Sequence, residues 1–282
     1  MPPSIIDAAV SPLPGVDRNT VEYVLRERVT ALQGVLNTPS ERRFHQYLAW
    51  ANEAARALRH IVRATDIDRL VLTRRYWMLQ SMNCIPNSPT YGLVMDLLET
   101  ELSERQGVIE DAHHAIRHAA NRWPPSSWYA VADTSFYMTY PKQLADIDFA
   151  ELLSSRHDPV HLLIPILVLD ELDGLKRNNQ TKTKARQTLK ALEDTFPDPH
   201  RAQVLRAGRM DDEPPRGVVN VEIILDPMGH SRLPMADQEL IDRAVVLQGL
   251  TGKSISFLTY DTAQRMRARA AGLATPILPD PS

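Results

Sequence analysis

Two stretches far apart in the chain end alike: WYAVADT at 128–134 and ISFLTYDT at 255–262, each an apolar run followed by Asp, Thr and a helical pattern. Short apolar runs alternating with helical segments predict a parallel sheet with helices on both faces. The strands expected are Trp128–Ala132, His161–Ile164, Val218–Leu225, Ser254–Thr259 and Thr275–Leu278. The helices between them run from Pro165, over Lys182–Phe196, Ala236–Leu250 and Thr262–Ala271. In sheets of this kind ligands gather at the carboxyl ends of the strands, which is where Asp133 and Asp261 would lie.

The first 122 residues have a different character. Apolar positions recur at helical spacing over 19–36, 40–63, 68–80 and 91–122, with Asn83–Thr90 as a loop, so an all-α region is expected at 17–122. A proline-rich, aperiodic 1–16 reads as a flexible leader, and WPPSS at 123–127 as a linker into an α/β domain at 128–282. The helical region holds 14 basic and 14 acidic residues and no motif that carries chemistry. Glu110, His114 and His118 share one helical face beside His113, but without cysteines or a fourth well-placed ligand they read as an exposed face rather than a zinc site. Met78, Met82, Met95, Tyr76 and Trp77 read as core filling.

Composition narrows the function. A net charge of −3, with 26 Arg and 6 Lys, excludes a globally basic nucleic-acid coat, so any such contact must come from a local patch. A single cysteine, Cys84, excludes an internal disulfide framework and suits a reducing compartment. The opening MPPSIIDAAV lacks the basic start and apolar core of a signal peptide, and no apolar run approaches the roughly 18 residues of a membrane span. A cytoplasmic chain with no membrane contact is expected.

Leu162–Lys176, LLIPILVLDELDGLK, adds a third acid. On a helix, Glu171 has Leu167, Val168, Gly174 and Leu175 as its surface neighbours, whereas Asp170 and Asp173 share a stripe with Lys176 and Arg177. Glu171 is therefore expected to point inward, where a carboxylate costs several kcal/mol unless a cation or donors compensate. Asp237 shares its face with Leu240, Ile241, Ala244 and Val245 and is expected to do the same. Asp242 lies about 140° around that helix and Glu239 faces Arg243, so both read as supporting or surface acids.

Inward carboxylates from four elements repel one another unless a divalent cation lies among them, and all-oxygen ligation favours Mg²⁺ or Mn²⁺ over zinc. Such an ion suits phosphodiester hydrolysis. The run KRNNQTKTKARQTLK, with Lys176, Arg177, Lys182, Lys184, Arg186 and Lys190 and no acid, follows directly and is a candidate phosphate-gripping patch. Arg201, Arg206 and Arg209 extend it until Asp211, Asp212 and Glu213, in a segment expected as a flexible loop up to Gly217.

VADTSF around Asp133, IPILVLDELDGLK around Glu171, ADQELIDRA around Asp237 and LTYDTAQRMRARAAGL around Asp261 resemble, in order, the four acidic motifs of PIN-domain nucleases. The ELDGLK signature resembles one branch of that family. The resemblance covers about 127–280 and implies a Mg²⁺- or Mn²⁺-dependent endoribonuclease on an α/β/α sandwich. Asp133, Glu171, Asp237 and Asp261 would be the catalytic, metal-holding acids, with Thr134, Ser135 and Thr259 in support. The third motif departs from members with adjacent acids: Gln238 follows Asp237, which leaves Glu239 and Asp242 open as helpers. The partner implied is RNA, single-stranded or structured, with a protein partner or a second copy for the helical region. Competing readings are a PIN-like binding protein without catalysis, a DNA nuclease, and a haloacid-dehalogenase-type phosphatase. The last normally carries a second Asp two residues after its nucleophile, where this chain has Ser135.

Overall fold

A computed structural model describes residues 10–155, 157–177, 179, 181–209, 217–226 and 230–280. The chain forms two compact units, Met1–Arg122 and Trp123–Ser282. The acidic Asp211–Glu213 stretch and the first nine residues of the expected leader lie outside the described residues.

Among the described residues the first unit has five helices: α1 (Arg18–Leu36), α2 (Ser40–Leu58), α3 (Ala64–Leu70), α4 (Arg74–Gln80) and α5 (Tyr91–Arg122). The expected 68–80 helix is two, because Thr73 interrupts it and caps α4 by accepting from the Tyr76 amide. Residues 10–16 are tied down rather than a free leader: Val10 is buried, Pro12 bridges Val62, and the Ser11 amide donates to Asp66 at 2.8 Å. On α4, Tyr76 and Leu79 enter the core while Trp77 and Met78 are 57% and 47% exposed, correcting the expectation that both fill it. The helix is only two turns long and can bury a single face.

Glu101 of α5, 0% exposed, is the electrostatic centre of this unit. Tyr47 and Thr73 hydroxyls donate to it at 3.1 and 2.6 Å, and Arg75 and Arg105 pair with it at 3.2 and 3.1 Å. Burial, then Glu101, pushes the Tyr47 hydroxyl far up from its ordinary value. Charge buried with its counter-charges is costly to expose by halves, so the group behaves as one structural element.

The second unit is built on β1 (Trp128–Ala132), β2 (Val160–Pro165), β3 (Gln203–Arg206), β4 (Val219–Ile224) and β5 (Ile255–Leu258), in the spatial order β3-β4-β2-β1-β5. β4, β2, β1 and β5 are parallel, and β3 joins the edge antiparallel to β4. The helices are α6 (Thr134–Thr139), α7 (Phe149–Leu153), α8 (Ile166–Leu175), α9 (Lys182–Thr195), α10 (Ala236–Thr251) and α11 (Thr262–Ala270). All of β5 and nearly all of β1, β2 and β4 are buried without alternation, the pattern of a sheet covered on both faces. The mixed α/β fold and largely parallel sheet are as expected, but the edge differs. Thr275–Leu278 forms no strand, only Ala274 bridging Ser256, and Gln203–Arg206 supplies the fifth strand.

Two junctions differ in detail. Pro165 ends β2 instead of entering the helix, and α8 begins at Ile166. The expected linker is anchored: Trp123 is 1% exposed and its indole donates to the buried Glu222 at 2.9 Å. Just before β4, a Cβ on Gly217 would stand 2.4 Å from the Asp158 carbonyl oxygen, so only glycine permits this crossing.

The connection from β1 leads to β2 on one side, while β5, reached from β4, enters on the other. The carboxyl ends of β1 and β5 thus adjoin where the winding diverges, the usual place for a site in such a sheet. Ala132 pairs with Leu258, so Asp133 comes level with Thr259.

Candidate active site

Asp133 leaves β1 by donating its amide to the Leu258 carbonyl at 3.0 Å and then caps α6, its carboxylate accepting from the Phe136 amide at 2.9 Å. The carboxylate also accepts from the Thr259 hydroxyl at 2.5 Å and the Ser135 hydroxyl at 2.8 Å. Ser135 in turn accepts from the Tyr260 amide, and Thr259 from the Asp261 amide, both at 3.0 Å. These bonds stitch the ends of β1 and β5 together and fix the orientation of a carboxylate that is 6% exposed. Every one of its hydrogen-bond donors is neutral. Burial raises the Asp133 pKa, the Thr259, Ser135 and Phe136 bonds oppose that, and Asp261 adds to it.

Glu171 is half-buried on α8 and accepts a short hydrogen bond from the Thr134 hydroxyl, which links α8 to the first residue of α6. Burial raises its pKa, Thr134 opposes, and Asp237, Asp133 and Asp170 push it further up. The inward orientation expected from helical spacing is thus observed. Asp173 is the contrast: it is exposed, and Lys176 at 2.5 Å holds its carboxyl below the usual range. Asp170 is likewise outward, paired with Arg232 at 2.7 Å.

Asp261 caps α11, accepting from the Gln264 amide at 2.8 Å, and is exposed. Asp237 departs from expectation: its side chain is 53% exposed and faces Arg267 at 3.3 Å. Leu240, Ile241, Ala244 and Val245 on the same face are all buried, but Asp237 is only the second residue of α10 and precedes the part of the helix that packs. Gln264, which its sequence pattern did not single out, is 2% exposed and its amide donates to the Asp237 carbonyl at 3.2 Å. It ties α10 to α11 beside Asp237 and Asp261.

Glu239 is buried, not a surface acid. Burial opposes its charge, yet the Leu233 amide, His230 and Arg243 outweigh that and hold its pKa down. With Arg243 at 2.9 Å and His230 at 2.7 Å it is committed to structure. Asp242 is half-buried one turn along. The run from Lys176 divides: Lys176 pairs with Asp173, Arg177, Arg186 and Lys190 are exposed, Lys182 is half-buried, and Lys184 donates to the Tyr140 carbonyl.

Among the described residues no three His, Cys, Asp or Glu side chains stand close enough together to hold a metal ion. His114 and His118 are exposed, and His113 lies 3.8 Å from Glu22. The donor chemistry of Asp133, Glu171, Asp237 and Asp261 nonetheless suits a hard divalent cation: four carboxylates, two of them desolvated and raised in pKa by acids of this same set. No helix among the described residues is long and apolar enough to cross a membrane.

Comparison with curated proteins finds no match. A PIN-domain family model matches residues 130–276, a span from within β1 to beyond α11 that takes in all four acids and more than half of the chain. The PIN domain is a nuclease domain, generally metal-dependent, and this chain belongs to the PIN-domain family.

Proposed function

We propose that the second unit is an endoribonuclease in which Asp133, Glu171, Asp237 and Asp261 hold Mg²⁺ or Mn²⁺ at the carboxyl edge of the sheet. The observation that carries this is Asp133: a buried carboxylate fixed by three neutral donors, with other acids and, among the described residues, no cation paired with it. Glu101, buried in the first unit, has two arginines beside it instead. When bound, the ion would supply a nucleophile from water at neutral pH and offset charge on the phosphoryl oxygens.

The chain's own groups do the positioning. Thr259 and Ser135 hold both oxygens of Asp133, and Thr134 orients Glu171, so two ligands are preset. Asp237 would exchange Arg267 for the ion, which frees a guanidinium at the edge for a substrate phosphate. Arg177, Lys182, Arg186 and Lys190 support RNA as the substrate, since they form a basic run without an acid next to α8. In the first unit, Trp77, Met78, Ile85 and Leu93 are exposed apolar side chains that support a protein partner or self-association.

The test is to incubate the purified chain with labelled single- and double-stranded RNA and DNA in Mn²⁺, Mg²⁺ or EDTA, with Asp133→Asn in parallel. Divalent-dependent internal cleavage of RNA, absent in Asp133→Asn, is expected. Preferential cutting of DNA would replace the substrate, and binding without cutting in any metal would make this a binding member of the family.

A further inference from the structure

A cavity of about 390 Å³ opens in the second unit, walled by α6, the Pro141–Ile147 segment and α9. Its size falls within the range of small-ligand pockets. The lining is one-sided in charge: Lys142 and Lys184 contribute to it and no carboxylate does. Asp148, just beyond this segment, caps α7 by accepting from the Glu151 amide.

Lys184 is the unusual member. It is half-buried, has no carboxylate partner among the described residues, and spends one N–H on the Tyr140 carbonyl. Burial lowers its pKa, which marks the cost of a charge left without a counter-ion. Tyr137 of the same wall is 4% exposed and its hydroxyl has no hydrogen-bond partner among the described residues. Leu144 adds apolar surface, while Gln143 and Gln187 add amides with both donors and acceptors. A pocket with two lysines, no lining carboxylate, apolar surface and two amides fits a ligand that is part anion and part planar heterocycle.

The pocket shares α6 with the acid site. Asp133 is one of the charges, after burial, that push the Tyr137 hydroxyl up. Lys184 also belongs to the basic run that follows α8 in sequence.

We infer that the cavity between α6 and α9 is a nucleotide subsite, taking one unstacked nucleotide of the RNA strand with its phosphate on Lys142 and Lys184 and its base against Tyr137 and Leu144. This rests on the nuclease reading for its biological role, but binding in the pocket does not require cleavage or metal. The basic run then acts through more than bare phosphate contacts, because one of its lysines holds a nucleotide where a base can be enclosed.

The experiment titrates uridine 5′-monophosphate and adenosine 5′-monophosphate into the full-length Asp133→Asn protein in EDTA, by calorimetry. Saturable binding is expected, at least tenfold tighter than that of uridine or of inorganic phosphate. Lys184→Met should weaken it tenfold or more, Lys184→Arg should restore most of it, and Gln187→Trp, which fills the cavity while keeping both lysines, should abolish it. Each variant is first checked for a native circular-dichroism spectrum and melting temperature. No saturable binding to the unfilled pocket would overturn the subsite. So would affinities within twofold in folded Lys184→Met and Gln187→Trp proteins, or inorganic phosphate competing as well as the nucleotide. Loss of the nuclease reading would appear separately, as no cleavage by the wild-type chain in Mn²⁺, with this titration unchanged.

Discussion

Each unit buries carboxylates, and Glu101 and Asp133 are treated in opposite ways. Glu101 in the helical unit is surrounded by Arg75, Arg105 and two hydroxyls, so its charge is neutralised where it stands. Asp133 at the sheet edge is given hydroxyls and an amide but no cation, and its nearest charged influence is another acid. The first arrangement makes a folded state that needs nothing further. The second leaves a deficit of positive charge that a divalent ion can fill, and the comparison shows how one residue type becomes scaffold or site according to what is packed beside it.

The strongest way to break the contrast is to neutralise both acids. Asp133→Asn should reduce metal-dependent RNA cleavage by a factor of about a thousand or more, the scale of losing a principal transition-state stabiliser. It should also erase the rise in melting temperature that Mn²⁺ or Mg²⁺ gives the wild type, which near a hundredfold excess over Kd corresponds to about 2.7 kcal/mol. Glu101→Gln should leave cleavage chemistry alone and cost about 3–5 kcal/mol, because the buried Arg105 loses its close carboxylate, while Arg75 keeps Glu104. A Glu101→Gln protein as stable as the wild type in urea would end the scaffold reading.

Dividing the chain tests the same idea. A fragment of residues 121–282 should retain divalent-dependent cleavage of a short unstructured RNA, since Asp133, Glu171, Asp237 and Asp261 all belong to the second unit. One beginning at Pro125 should be less stable by about 3–5 kcal/mol, because it lacks the buried Trp123 whose indole satisfies Glu222. Equal stability of the two fragments in denaturant titrations would remove that anchor from the account.

The pH dependence carries a definite sign. Asp133 and Glu171 have folded pKa values above the ordinary carboxylate range, so the native state binds their protons more tightly than the unfolded chain does. The stability they contribute is complete below the unfolded values and is lost as pH rises through the folded ones. In EDTA, the gap between the wild type and an Asp133→Asn, Glu171→Gln double variant should therefore widen in the variant's favour from about pH 4 upward until both acids are ionised. A gap that stays flat across denaturation curves at pH 4 to 8 would mean that the two acids are not destabilised by folding.

Much of this edge was legible because short-range geometry dictates it. An apolar run followed by Asp and Thr can hardly do other than end a buried strand and cap a helix, and Asp133 and Asp261 do both. Glu171 was separable from Asp170 and Asp173 because helical spacing alone assigns their faces. What escaped depends on contacts between elements. QVLR is four residues long, with Val204 57% exposed, and becomes a strand only because β4 offers an edge. Asp237 obeys the helical stripe but lies before the packed turns, so periodicity overstates its burial. Glu239 looked like an ordinary surface partner of Arg243, and its burial comes from His230 and the Leu233 amide closing over it.

The finest test lies on α8, between residues that differ only in direction. Glu171→Gln should lose most metal-dependent cleavage while keeping the fold, and Asp173→Asn should cost little, since its exposed carboxylate meets only Lys176. Gly174 sharpens this further: it is the penultimate residue of α8, is exposed, and a Cβ there would meet nothing within 4 Å. Nothing among the described residues requires glycine at that point, and Gly174→Ala should stabilise the second unit by up to about 0.5 kcal/mol through helix propensity. If the RNA backbone approaches α8 closely beside Glu171, the added methyl should also raise KM for RNA severalfold with little change in kcat. A Gly174→Ala protein that is more stable and cuts RNA with an unaltered KM would show that the strand passes the acids without touching this turn of the helix.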